Sequence, residues 1–329
     1  MAPCPSELVS TDVRYGGVPA LGARALVLAV GAVQVAAFLV ADALGRPTLY
    51  VAFAVASAAC LGALADRGPF GIVAACLSGA LLVALVYPLV TLVTVASPES
   101  VLAALARPDV RRTLYLSVYA PLLATLLACV LGVPLALLLR RGFPGRPLVE
   151  SLVDLPLVVP HSVAGLAVLL AFGEGGAFPT LPVLGAVPGL VLALAFVSAP
   201  YAVDGAREGF ETVDRDAERA ARSLGASRFE TFRRVTAPLA VRGVLSGAIL
   251  SWARAVSEYG AVAVVAYNVS VFYPPAGERV QAMFGSVFVV RELDVNFDAA
   301  VAVAVCLLAV CVVVFLAVRA LTRDAGRWA

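Results

Sequence analysis

The sequence has no lysine: all 24 of its basic residues are arginine. Such a bias tracks codon usage or lineage, and no function is read into it. Charge of either sign is scarce. Of the 329 residues 14% are charged and 61% hydrophobic, with a mean hydropathy of +0.96, whereas a soluble domain runs near ~45–50% apolar and ~25% charged. A chain this apolar cannot cover its surface in water, so it reads as an integral membrane protein. A net charge of +2 leaves no whole-chain footprint for nucleic acid. Histidine occurs once, at His161. One histidine cannot build a metal site unaided, and no Ser-His-Asp set is evident. There is no HExxH and no GxSxG, which argues against an intramembrane enzyme. No GxxxxGK(S/T) phosphate loop is present, so the chain would not hydrolyse ATP itself. The six cysteines include no CxxC pair. Cys60, Cys76, Cys129, Cys306 and Cys311 sit inside apolar runs as small hydrophobes, and Cys4 stands alone near the start. No catalytic residue, cofactor or metal site is expected in this chain.

Long apolar runs are what the sequence does have. A spanning helix needs ~20 largely apolar residues, and the candidates are Ala25–Leu44, Thr48–Ala65, Phe70–Ala96, Thr113–Leu139, Leu152–Phe172, Leu184–Val203, Val241–Val265 and Ala299–Ala320. That predicts an all-α polytopic protein of about eight spans, the short second one being the weakest. The first run is read as a retained helix: Glu7 and Asp12 precede it, and it is long enough to span. Positive residues collect on cytoplasmic flanks. Alternating the eight spans puts 17 arginines on the side of both termini against 6 on the other, with Arg254 inside a span. Both termini are therefore expected in the cytoplasm of a multi-pass cell-membrane protein. Two loops are long enough for structure of their own. Asp204–Ala240 faces the cytoplasm and is rich in both charges. Tyr267–Asp298 faces outward, with Pro274 and Pro275 marking a turn and Glu278, Arg279, Arg291 and Asp294 exposed.

From Asp214 the cytoplasmic loop runs DRDAERAARSLGASRFETFRRVTAPLA. Ala217, Ala220, Ala221 and Leu224 fall at i, i+3, i+4 and i+7, one stripe of a helix. Asp214, Asp216 and Glu218 crowd its first turns, where the macrodipole favours negative charge. Gly225 suits a left-handed stop. Ser227 and Glu230 form a capping box that starts a second short helix, with Phe229, Phe232 and Val235 on one face and Pro238 closing it before the next span. Small alanines and exposed aromatics on such an elbow shape it to dock into a groove on another protein. The other reading is an amphipathic loop lying on the membrane surface.

The same residues resemble the EAA loop of ATP-binding-cassette importer permeases, which reads Glu-Ala-Ala, three residues, Gly, nine residues, Ile, any, Leu, Pro. Ala220, Ala221, Gly225 and Pro238 match in register, Val235 stands for Ile and Ala237 for Leu. Arg219 occupies the Glu position, and Glu218 sits one residue earlier. Two further segments are similar to molybdate, tungstate and sulfate permeases. One runs from Pro144-Gly145-Arg146 to the stretch Asp154–Gly165, and the other is Trp252–Gly260. The Pro-His-Ser-Val-Ala-Gly form, from Pro160, is closest to the tungstate/molybdate branch. The resemblance covers roughly residues 70 to 322. It implies a type I importer bundle with two extra N-terminal spans: a cytoplasmic tail at 1–22, an additional hairpin at 23–67, the permease domain at 70–322 with its coupling loop at 214–238, and a cytoplasmic tail at 323–329. It also implies a homodimer in membrane lipid, two cytoplasmic ATPase subunits that bind ATP and magnesium, an external solute-binding protein, and an oxyanion cargo. Molybdate or tungstate is the main expectation and sulfate or thiosulfate the alternative. Coupling-loop contacts then fall to Glu218, Ala220, Ala221, Gly225, Ser227, Phe229, Glu230, Phe232 and Pro238.

Arg254 and Glu258 lie four residues apart, on one helical face inside a span. Ionisable groups there face a bundle interior or an aqueous path, so the pair either lines an oxyanion route or neutralises itself as a structural element. Pro160, His161 and Ser162 stand where backbone donors at a helix start meet an anion. The other reading of His161 is a packed or capping side chain. The outward loop around Tyr273-Pro274-Pro275 is either a landing surface for an external binding protein or a solvated linker. An ion-coupled secondary transporter is the competing class. It would keep several carboxylates or histidines deep in the bundle, and Glu258, with its own arginine, is nearly the only candidate.

Overall fold

The computed structural model describes residues 20–64 and 68–325. Cys4, most of the expected 1–22 tail and the last four residues lie outside them. The chain divides into two compact units, Met1–Thr91 and Leu92–Ala329. The first holds α1 (Ala20–Ala43), α2 (Pro47–Leu64) and most of α3 (Gly68–Val95). Gly45, at φ +63°, makes the turn between α1 and α2, and Pro47 opens α2 where a missing N–H costs nothing. Gln34 donates to Ser57 at 2.7 Å, and the rings of Phe38, Tyr50 and Tyr87 meet with centroids 5.4–6.0 Å apart.

The second unit opens with α4 (Pro98–Ala106) and α5 (Pro108–Arg141), and continues with α6 (Arg146–Val158), α7 (His161–Phe172) and α8 (Val187–Glu211). Then come the short α9 (Arg215–Ser223) and α10 (Arg228–Thr231), a π-helical segment (Phe232–Thr236), α11 (Ala237–Val256) and α12 (Gly260–Val265). Strands β1 (Val269–Tyr273) and β2 (Glu278–Ala282) pair antiparallel before α13 (Gly285–Val295) and α14 (Phe297–Ala325). The hairpin turns at Pro274–Gly277, where the two prolines were expected to mark a turn, and Gly277 takes φ +69°. It is the one feature of the described residues outside an all-α architecture.

Among the described residues five helices are long and apolar enough to cross a membrane, and the α6–α7 pair makes a sixth if counted as one bent span. In α1 and α2 the stretches Ala32–Ala43 and Thr48–Cys60 are apolar but shorter. Helices thus stand at all eight expected runs, but two runs are not straight. Leu152–Phe172 bends by 114° between α6 and α7. Pro160 has no N–H to donate and forces Val159 into extended backbone, ψ 129°. Val241–Val265 ends its first helix at Val256. Ser257 turns its hydroxyl back onto the Arg254 carbonyl at 3.0 Å, in competition with the helical bond, and Tyr259 leaves helical geometry before α12 begins.

α5, α8 and α11 form the centre. Gly205 and Gly209 on α8 face Gly247 and Gly243 on α11 so closely that a Cβ at any of the four would run into the opposite backbone. Both sets have the small-xxx-small spacing by which membrane helices approach without a hydrophobic driving force. Nearby, Ala202, Val203, Ala206 and Phe210 are buried between α8 and its neighbours.

Candidate functional site

The elbow is built as its residues dictate. Asp214 caps α9 by accepting from the Asp216 N–H at 2.8 Å. Gly225 ends it at φ +92°, a conformation a side chain would strain. Ser227 and Glu230 form the reciprocal capping box of α10. Pro238 does not close that helix as expected. It sits in the first turn of α11, where its absent N–H is tolerated, and the turn before it widens to π, which relieves the clash of its ring with the Arg234 carbonyl. The elbow therefore continues through the π segment into α11 without a break. Its tip is uncovered: Leu224 is 90% and Phe229 68% exposed. Ala220, Gly225 and Glu230 are exposed too, with Ala221 and Phe232 half-buried.

Glu218 anchors the elbow to the bundle. It meets the Arg140 guanidinium at 2.7 Å and accepts from the Thr236 hydroxyl at 2.6 Å, while Arg140 also donates to the Val213 carbonyl at 2.7 Å. One carboxylate thereby ties α9 to the end of α5 and to the π segment. Burial pushes its pKa up, but the Thr236 hydrogen bond and the Arg140 guanidinium outweigh that and hold it below the ordinary value. A displaced glutamate thus still finds a salt bridge. Arg140 and Thr236 were missed from sequence. The signal for Arg140 was its place in an Arg-Arg pair closing a long apolar run.

The second cluster lies at the other end of α11. Seventeen residues beyond Ala237, Arg254 is ~26 Å up the helix. Its guanidinium contacts Glu258 at 2.8 Å and His161 Nε2 at 2.6 Å. The Glu258 side chain is fully buried, and its other oxygen accepts from the Ala261 N–H at 2.9 Å, which helps start α12. Its carbonyl accepts from the Ser286 hydroxyl at 2.6 Å. Arginine can only donate, so in this contact His161 Nε2 is the acceptor, and the other ring nitrogen, Nδ1, lies 3.6 Å from Glu258. His161 reaches this position because Gly165 on α7 packs against the backbone of Ala261, where a Cβ would lie 2.6 Å from the carbonyl oxygen. Three of the five expected pathway residues are thus brought together from two distant segments. Pro160 and Ser162 flank them as exposed positions, Pro160 capping α7, with no side-chain bond from Ser162 among the described residues.

At the hairpin end, Arg107 joins Asp109 at 2.7 Å and Glu292 at 2.6 Å, with its guanidinium 5.8 Å from the Phe288 ring centre. These contacts hold α13 against the start of α5. Glu278, Arg279, Arg291 and Asp294 are exposed, as read from the sequence.

A bundle of apolar helices with one sharply bent pair and an ion-paired elbow is the architecture of a polytopic membrane subunit. The family model described as binding-protein-dependent transport system inner membrane component matches residues 124–327, and the chain belongs to that family. A molybdate/tungstate transport system permease protein of Thermococcus kodakarensis is 46% identical over 143 residues, 43% of this chain and 55% of that protein, so the match spans little more than half of that relative's length. A probable molybdenum ABC transporter permease protein of Haloferax volcanii is 39% identical over 248 residues, 74% of this chain and 88% of that protein. A probable sulfate transport system permease protein of Nephroselmis olivacea is 37% identical over 199 residues, 57% and 70% of the two chains. Among solved structures, a bacterial ABC transporter involved in import of the acidic polysaccharide alginate shares the fold, with a TM-score of 0.59 at 15% identity over 75% of this chain and 95% of that one.

Proposed function

We propose that this chain is the permease subunit of an ATP-driven importer that passes a tetrahedral oxyanion, molybdate or tungstate, into the cytoplasm. The observation that carries the reading is the uncovered elbow, helically continuous with α11, in a chain whose similar relatives include molybdate and tungstate permeases. Two copies would line one path in the cell membrane, with both termini in the cytoplasm. Two ATPase subunits, which bind ATP and magnesium, would grip the elbows at Leu224 and Phe229, and an external solute-binding protein would dock near the hairpin. ATP-driven closure moves the elbow. Glu218 passes that motion to α5 through Arg140 and to the π segment through Thr236, and α11 carries it as a rigid lever to Arg254. There the guanidinium, partnered by Glu258 and seated against the half-exposed His161, offers donors to a dianion. The arginine's fixed fork suits tetrahedral oxyanions.

The test is labelled tungstate uptake by cells with and without this chain, competed by unlabelled molybdate and by sulfate. Uptake that needs the chain, is blocked by molybdate and is spared by sulfate supports the reading. The likeness to a sulfate permease favours one alternative cargo, and equal competition by sulfate would move the assignment there. Arg254→Gln should lower uptake by more than its loss of assembled protein accounts for, and unchanged uptake would remove Arg254 from the path. Phe229→Ala should leave the folded chain intact and weaken capture of the ATPase. Uptake that follows an imposed ion gradient in ATP-depleted membranes would instead indicate an ion-coupled secondary transporter.

A further inference from the structure

Helix α9 has two opposed faces, and only one suits a protein partner. Ala217, Ala220, Ala221 and Leu224 make the first. With Gly225 and Val235, Ala221 and Leu224 border a cavity of about 360 Å³ in the crook of the elbow. The opposite stripe, Arg215, Glu218, Arg219 and Arg222, lines a different cavity of about 410 Å³, whose other walls include Arg140 and Arg141 of α5 and Arg228 of α10. Six arginines thus surround one space in which Glu218 is the only acid, and that carboxylate is already taken by Arg140 and Thr236. Arg219 is paired with Asp216 at 2.6 Å. Arg222 reaches only the Glu218 carbonyl, at 3.4 Å. Arg141, Arg215 and Arg228 make no ion pair or hydrogen bond among the described residues.

Converging guanidiniums repel one another, and an anion between them relieves the repulsion. The two hydroxyls in the wall are already donating, Thr231 to the Ser227 carbonyl and Thr236 to Glu218, so the free groups facing the space are guanidinium N–H donors. We propose that this cavity binds a phosphate-class tetrahedral oxyanion. It reaches the site either as the headgroup of an acidic phospholipid or as a free ion. Guanidinium forks match such an anion two bonds at a time. The cavity lies at the end of the long apolar helix α5 and beside the start of α11, and basic pockets at the ends of membrane helices take anionic lipid. An acidic loop of a protein partner fits less well, because the uncovered apolar tip and alanine face point away from the arginine stripe. The assignment is independent of the transported cargo and of any ATPase.

The experiment uses the purified full-length chain in nanodiscs of phosphatidylcholine. Phosphatidylglycerol retention is read by native mass spectrometry after lipid exchange, and inorganic phosphate is titrated calorimetrically. The wild type should bind at least one probe. Phosphatidylglycerol alone identifies the lipid as source, and inorganic phosphate identifies the free ion. Arg215→Gln/Arg228→Gln should weaken the bound probe by about tenfold or more. Arg233→Gln/Arg234→Gln removes the same charge from exposed positions outside the cavity and should change binding by less than about twofold. Neither mutated cavity residue holds a bond, so the variant's melting temperature and elution should match the wild type. Arg228→Gln alone should show a smaller loss of the same sign. Binding of neither probe, or equal losses in the two double variants, overturns the site.

Discussion

Two arginine–glutamate pairs of nearly the same length hold this protein in different ways. Arg140 meets Glu218 at 2.7 Å and Arg254 meets Glu258 at 2.8 Å. Around the first pair the bonding is filled from protein alone: a hydroxyl on the carboxylate, a backbone carbonyl on the guanidinium, and three elements joined. Around the second, the carboxylate is fully buried and satisfied by a backbone N–H, but the arginine side chain is 18% exposed, and besides the Ser257 hydroxyl at 3.5 Å it touches a histidine that is 47% exposed. The first pair, whose arginine is only 7% exposed, is a tie. The pair left open on its arginine side is the one with donors to offer, and the difference lies in the neighbours rather than in the pair.

Breaking the pairs should separate them. Glu258→Ala should have the largest effect, because it strands an arginine in a mostly buried setting, a loss of about 3–5 kcal/mol. Thermal unfolding of the purified chain in detergent measures it. Arg254→Ala/Glu258→Ala should recover part of that loss, since no lone charge remains. A double variant as unstable as the sum of the two single variants would mean the pair is not coupled.

Arg140→Ala comes next. Hydrogen bonds to charged groups are worth ~1.5–3 kcal/mol each, but the loss should be local. Proteolysis and hydrogen exchange should rise over 214–238 while the melting of the bundle barely moves. Acid should reproduce it. The Glu218 pKa lies below its ordinary value of 4.5, so its contribution is complete above that value and fades as pH falls through the lower folded one. Elbow protection should therefore hold down to 4.5 and drop below it, and Glu218→Gln should flatten that dependence. A bundle that melts together with the elbow would show that Glu218 is no local tie.

The sequence made the elbow legible almost residue by residue, because caps, a left-handed glycine and a helical stripe are local signals. Asp214, Gly225, Ser227 and Glu230 stand where such signals put them. Pro238 was misplaced because proline is compatible both with a helix end and with a first turn, and only the widened turn before it tells which. The Arg-Arg pair marked Arg140, but nothing joined it to Glu218, since the two are 78 residues apart and a salt bridge leaves no period in a sequence. Arg254 and Glu258 do pair, as their spacing suggested, but not on one helical face, because α11 ends at Val256 and Glu258 lies in the break before α12; the arrival of His161 depends on Gly165 and Ala261 touching across two segments. The facing glycines of α8 and α11 did leave a trace, Gly-x3-Gly in each helix, that was passed over. Each half is ambiguous until the other is known to oppose it.

The smallest expected change in stability is also the sharpest probe of the open pair. His161→Ala removes one hydrogen bond from a half-exposed side chain, so stability should fall by no more than about 1 kcal/mol. Glu258 still holds Arg254 at 2.8 Å and the Ala261 N–H at 2.9 Å, which keeps α12 in place. If the donors of this cluster meet the cargo, tungstate uptake should drop far more than melting does, and His161→Gln, which keeps a polar group within reach of Arg254, should restore part of it. If the cluster is only structural, uptake and stability should fall together and slightly, as with any partly exposed contact. Normal uptake by His161→Ala would remove the histidine from the path and leave Arg254 to be tested alone. A large transport loss at a small stability cost marks the open pair, and the reverse ordering at Arg140 marks the tie.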